Sequence, residues 1–257
     1  MISSGVLRPV RALFLTCFLL NAIAPAEQPQ KDPVFPCAEK LTYRVEWRLV
    51  TAGYAVVQQT RASGRGWDLN LNLTSAGLVS RLYRVLDTYK VTTNDQFCGS
   101  SAVLEAQEGK KHTLTQLNFN NVRNKVEYSE RDLVKNTAAK NELDKPPCTH
   151  EVLGALAKLR LAPPEHGKPT SVPVTDGKKL AFARLEAQAK ETVNIDGKNY
   201  STVRYEAFLF DNVIYKRKGR LFVWLVDDAG HLPVQFQVHL GFPVGNITVQ
   251  LEKEEKL

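Results

Sequence analysis

Asp227 and Asp228 stand side by side in a chain of 257 residues, and paired carboxylates are a natural place to look for hydrolytic chemistry. A general acid and a general base must converge across a cleft. Neighbours in an extended chain point to opposite faces instead, and Asp227-Asp228-Ala229-Gly230 has the composition of a type I turn closed by glycine. Turn formation is the favoured reading; a hydrolase using Asp227 or Asp228 is the alternative. His231 and His239 lack both helical i, i+4 spacing and a third ligand, so no metal site is expected. No GxSxG, HExxH, Walker A or GxGxxG pattern occurs, which removes the commonest grounds for expecting an enzyme or a bound cofactor.

Beyond the expected signal peptide, residues 1–26, the chain keeps three of its four cysteines, Cys37, Cys98 and Cys148, and an odd number leaves one thiol unpaired in any monomer. The pairing is not readable from sequence. Cys98 with Cys148 is preferred, which leaves Cys37 near the mature start. Tyr43, Trp47, Trp67, Tyr205, Trp224 and Phe236 sit on apolar stripes, where core packing is the default role. A curved sheet lined by such rings can also hold an apolar ligand, which makes these six the candidate lining residues. The one tight basic cluster is Lys216, Arg217, Lys218 and Arg220. A solvated turn that blunts a sheet edge is the favoured reading, and attraction to anionic headgroups or envelope polymers is the functional alternative.

The elements that must position these residues begin after a leader. Arg8 and Arg11 precede the apolar run from Ala12 to Leu20, and Ala24-Pro25-Ala26 supplies the small residues of a cleavage site. The expectation is export, most naturally to a periplasm, with residues 1–26 removed and residues 27–38 a flexible leader before one mainly β domain at 39–257. The apolar run is too short to span a bilayer, and no later segment is long enough. Removing Arg8 and Arg11 lowers the formal charge from +7 to +5, without the basic face and interleaved aromatics that nucleic acid would require.

Leu41, Tyr43, Val45, Trp47 and Leu49 alternate with polar residues, as do Trp67, Leu69, Leu71 and Leu73. A period of two predicts half-buried strands. Leu221 to Val226 is an unbroken apolar run that predicts a strand buried on both faces, followed by two alternating strands over 234–240 and 247–251. Gly77 to Leu86 suggests a short helix or a loop. Asp132 to Lys145 has no apolar period and reads as a surface excursion. Between Pro146-Pro147 and Pro163-Pro164 lies the one convincing helix, with Val152, Leu153, Ala155, Leu156 and Leu159 forming its apolar face and Thr149 available as a cap. The expected fold is all-β in the main: a strongly curved antiparallel sheet, a β-roll or half-barrel, with one plugging or covering helix.

Particular segments also resemble a bacterial exported family, the domain of unknown function 3108. They are Glu39-Lys40-Leu41-Thr42-Tyr43 with Ala52-Gly53, Ser80 to Val85 leading to Asp87, Lys158-Leu159-Arg160, and Val223 to Asp228 followed by Leu232-Pro233-Val234. The last is the most specific. The resemblance implies a secreted, mostly β protein and carries over no catalytic residues. The expected fold, not the resemblance, admits two partner classes: a lipid-like or other apolar envelope ligand held inside the curved sheet, or an envelope protein met through edge strands and the basic loop.

Overall fold

The structure, a computed structural model, describes residues 36–257. The expected signal peptide and most of the expected leader lie outside the described residues. The chain forms fourteen strands, most of them alternating polar with apolar residues: β1 (Ala38–Trp47), β2 (Val50–Arg61), β3 (Trp67–Ser75), β4 (Val85–Thr93), β5 (Gly99–Glu108), β6 (Lys111–Asn120), β7 (Lys125–Asp132), β8 (Thr137–Asp144), β9 (Thr170–Thr175), β10 (Leu180–Ile195), β11 (Lys198–Ala207), β12 (Gly219–Val226), β13 (Pro233–Leu240) and β14 (Asn246–Lys256). Helix α1 (Gly77–Leu82) joins β3 to β4, and α2 (Val152–Leu161) lies between β8 and β9.

All fourteen strands form one antiparallel sheet in the order β8-β7-β6-β5-β4-β3-β2-β1-β14-β13-β12-β11-β10-β9. Two meanders, β1–β8 and β9–β14, are thus joined where the first strand pairs with the last, Tyr43 opposite Leu251 and Val45 opposite Val249. In such a sheet successive connections alternate between the two ends of the strands. The β1–β2, β3–β4, β5–β6, β7–β8, β9–β10, β11–β12 and β13–β14 connections gather at one end, the hairpin end. The remaining connections and α2 gather at the other, the helix end.

The expectation of a mainly β, curved sheet with a plugging helix holds, and the sheet stays open between β8 and β9. Its two edges nevertheless touch. Asn141 Nδ2 donates to the carbonyls of Gly177 (3.0 Å) and Lys178 (3.2 Å), and Lys178 Nζ lies 3.0 Å from Glu130. Gly177 has φ +84°, and a Cβ there would come within 2.4 Å of the Tyr128 ring, so this approach requires glycine. One expectation is corrected: the charged stretch 132–145 is not a surface excursion but the end of β7 and all of β8. An edge strand with nearly every side chain in water has no apolar period to display.

Helix α2 is apolar on two sides because it has sheet on two sides. Ala155 and Leu159 pack with Val172, Val174, Leu185, Val223 and Leu225 of the β9–β14 meander, while Leu153, Ala157 and Leu161 meet the cluster built on Trp67, Leu69, Phe97 and Leu117. Its cap is Glu151, not Thr149. The buried Glu151 carboxylate accepts the Leu153 N–H at 2.8 Å and the Gly154 N–H, whereas Thr149 Oγ1 donates to the Pro146 carbonyl. Burial raises the Glu151 carboxyl pKa, and hydrogen bonds from Tyr89 and these two amides offset part of the rise.

The apolar run in β12 is buried on both faces as expected. Leu221, Val223 and Leu225 face α2. Phe222 and Trp224 point the other way and cluster with Val193, Ile195 and Tyr200, from the distal part of the β10–β11 hairpin.

Candidate apolar binding site

Between α2 and the middle of the sheet the side chains do not meet, and a cavity of about 200 Å³ remains. Leu41 and Tyr43 of β1, Val57 of β2, Leu69 and Leu71 of β3, and Phe236 of β13 form its floor, and Leu153, Leu156 and Ala157 of α2 form its roof. Alternation explains the floor: every second residue of these strands points inward. The rings of Tyr43 and Phe236 meet edge to face with centroids 5.6 Å apart.

Burial along the floor falls in one direction. On β1, Leu41 and Tyr43 are 3% and 1% exposed while Val45 is only half-buried; on β3, Trp67 and Leu69 are buried while Leu71 and Leu73 are half-buried. Val234 precedes half-buried Phe236 and Val238 on β13, and Leu251 follows half-buried Val249 on β14. All four gradients run toward the hairpin end, because α2 covers only the other one. The cavity therefore opens toward the hairpin end.

At the covered end sits a buried ion pair. Arg160, at the C-terminal turn of α2, donates through Nη2 to Glu39 Oε1 at 3.1 Å and through Nη1 to Glu39 Oε2, and its Nε donates to the Gly230 carbonyl at 3.2 Å. The two side chains are 7% and 1% exposed. Arg160 borders the cavity, but its charge is balanced by an equally buried carboxylate. Tyr43 adds a neutral hydroxyl: its O–H donates to the Pro233 carbonyl at 2.9 Å, and burial pushes its pKa well above the usual phenol range. The space thus suits an uncharged, apolar group.

The proposed lining residues are dispersed. Tyr43 and Phe236 line the cavity. Trp47 lies near the hairpin end with Nε1 donating to the Val244 carbonyl at 2.7 Å, and Trp67 stacks on Phe97 in the cluster that meets Leu153, Ala157 and Leu161 of α2. Tyr205 is buried in the cluster of β9–β12, and Trp224, on the opposite face of β12, donates to Glu191 Oε1 at 2.7 Å. The sequence marks Leu41, Leu69, Leu71, Leu153 and Leu156 only as members of apolar stripes, and it does not pair Glu39 with Arg160. Their types are those of any core, and only the helix's position shows that they surround a space.

Cys98 and Cys148 form a disulfide, which ties the β4–β5 connection to the segment entering α2, and Cys37 is free and exposed. Buried His150 stands beside the disulfide, with Nε2 3.7 Å from Cys148 Sγ and Nδ1 2.7 Å from the Phe97 carbonyl; burial lowers its pKa, and the neutral ring donates Nδ1–H to that carbonyl. Asp228 accepts the amides of Gly230 (2.8 Å) and His231 (3.0 Å), and Asp227 pairs with Lys190 at 2.7 Å, so turn and surface contacts occupy both. Arg220 forks onto Glu206 at 2.8 and 2.7 Å, while Lys216, Arg217 and Lys218 are exposed on the β11–β12 connection. Among the described residues no group of three His, Cys, Asp or Glu is placed to hold a metal ion, and no helix is long and apolar enough to cross a membrane.

Fold and site define a class: an open, barrel-like antiparallel sheet wrapped around one helix, with an apolar space beneath it. A β-barrel-like protein of the domain-of-unknown-function family DUF1849 from Brucella abortus has this fold, with a TM-score of 0.59 at 10% identity over 87% of this chain and 99% of its own. A Bacteroides fragilis protein with a YmcC-like fold, described as exported, aligns over 89% of this chain and 98% of its own at 10% identity, with a TM-score of only 0.36. No curated protein matches the sequence. The chain itself belongs to the family described as "Protein of unknown function (DUF3108)", which it matches over residues 42–252.

Proposed function

We propose that this protein is an exported, non-enzymatic carrier that holds an apolar component of the cell envelope between α2 and the sheet. The observation that carries this reading is the space of about 200 Å³ lined almost wholly by aliphatic and aromatic side chains and open toward the hairpin end. It exceeds the engineered cavity of about 150 Å³ that stays dry and binds benzene. A ring or a stretch of acyl chain fits inside, and the remainder of a longer molecule leaves through the open side. The leader ending at Ala24-Pro25-Ala26 supports export, and the Cys98–Cys148 disulfide fits an oxidising compartment.

Native mass spectrometry of gently purified protein tests the proposal. The expected result is a co-purifying amphiphile, together with saturable uptake of a fluorescent fatty acid. Ala157→Phe, which fills the roof, should reduce that uptake by at least about tenfold, the loss of one well-buried apolar contact. Absence of both the amphiphile and the uptake would overturn the reading. Capture of an envelope protein by crosslinking in their place would favour an assembly role.

A further inference from the structure

The two ends of the sheet differ in what they show to water. Among the described residues fourteen large apolar side chains are exposed, and twelve of them lie in the hairpin-end connections or within the first five residues of the strands leaving them. The most exposed of these twelve are Phe242 (97%), Leu49 (96%), Leu82 (75%) and Leu78 (67%), from three different connections. At the helix end only Val122 and the C-terminal Leu257 are comparable.

Charge divides the same way. The seven hairpin-end connections carry ten Lys or Arg and two Asp, whereas the helix-end connections carry six basic and six acidic residues. The basic loop Lys216, Arg217 and Lys218 is part of this excess. Apolar tips interleaved with cations, spread over several loops at one end, are the pattern of a surface that inserts shallowly among anionic headgroups. The ten cations come from six of the seven connections, with only two Asp among them. A broad anionic surface needs them spread over many, as they are.

We propose that the hairpin end docks this protein on the surface of an anionic phospholipid bilayer, with Leu49, Leu78, Leu82 and Phe242 entering the interface and the surrounding Lys and Arg side chains meeting the headgroups. Because the cavity opens toward this end, docking brings its mouth to the lipid. The inference goes beyond the carrier reading and does not require it.

Sedimentation with large vesicles of phosphatidylglycerol and phosphatidylcholine, against phosphatidylcholine alone, tests it on the mature protein. The wild type should bind the anionic vesicles at low ionic strength, bind the neutral ones far more weakly, and lose binding as salt rises. Lys216→Ala with Arg217→Ala and Lys218→Ala should weaken binding on the order of a hundredfold, at roughly 1 kcal/mol for each cation. Leu49→Ser with Leu78→Ser and Phe242→Ser should weaken it by at least about tenfold. Val122→Ser with Arg123→Ala, at the opposite end, should leave binding within about twofold of wild type. Far-ultraviolet dichroism and melting confirm that each variant is folded.

Equal binding to both vesicle types, no binding to either, or an equal loss in the Val122/Arg123 variant would overturn docking. So would a concentration-dependent dimer abolished by the same rim substitutions, which would assign the surface to a second copy. Ala157→Phe separates the two proposals: it should keep vesicle binding while losing fatty-acid uptake.

Discussion

The helix end and the hairpin end are built from the same strands, yet they close their interiors in opposite ways. At the helix end an α-helix, a disulfide and an ion pair are all drawn inside: Arg160 reaches Glu39 of β1, Glu151 caps the helix, and Cys98 is bonded to Cys148. At the hairpin end the same inner faces lose burial and the connections put leucine and phenylalanine into water. The difference teaches how an open end is tolerated. Polar groups fixed at one end allow the other to remain open without unfolding the sheet.

The strongest way to break that contrast is to remove one partner of the buried pair. Arg160→Ala leaves Glu39 1% exposed and without its guanidinium, and breaking a buried pair by removing one partner costs about 3–5 kcal/mol. Urea unfolding should show the loss directly. Changing both residues to methionine should recover most of it, since apolar replacement of a buried pair is often neutral. If Arg160→Ala unfolded as late as wild type, the helix end would not be the stabilising end.

Cys98→Ser with Cys148→Ser is expected to come next. The disulfide closes a loop with a sequence separation of 50; the chain-entropy model gives about 4 kcal/mol as the ceiling, and disulfides typically contribute about 2–4 kcal/mol. The check is a lower melting temperature that reductant reproduces in wild type and does not change in the double variant.

How much of this was legible before the fold was seen depends on the range of each signal. β1, β3 and β12 could be read because alternation, or an unbroken apolar run, is written within one strand. Helix α2 could be read from the prolines on either side. β8 could not, because an exposed edge strand carries no period. Nor could the Glu39–Arg160 pair, whose members are 121 residues apart and each plausible as a surface charge. The cavity was half legible. Tyr43 and Phe236 stood out as rings, but a space exists only where residues from several strands fail to meet α2, and no local pattern encodes that. The aromatic signal therefore also marked Trp67 and Trp224, which fill packed clusters elsewhere.

A smaller effect sharpens the comparison from the open side. Asp87 of β4 is half-buried, accepts the Gln107 N–H at 3.0 Å, and has its pKa pushed up to about 6 by burial and by the nearby charge of Glu108. A carboxyl whose folded pKa lies above its unfolded value of about 3.8 favours the folded state when protonated. That contribution is complete below about pH 4 and is lost as pH rises through about 6. Asp87→Asn keeps the acceptor and removes the titration. It should gain about 1 kcal/mol at pH 7, well below the full shift because water screens a half-exposed group, and should flatten the melting profile between pH 4 and 7. An unchanged profile would mean that Asp87 is solvated like a surface residue.

The smallest expected effect is the most discriminating. Leu78→Ser and Phe242→Ser remove apolar groups that are 67% and 97% exposed, so folding has little of their surface to lose. Away from packed features such changes fall within about 0.5 kcal/mol of zero. Urea midpoints should therefore coincide with wild type while vesicle binding falls, so that stability is insensitive to the residues on which docking depends. Losses above about 1 kcal/mol would show instead that these side chains support the fold, and the hairpin end would then be a second packed end.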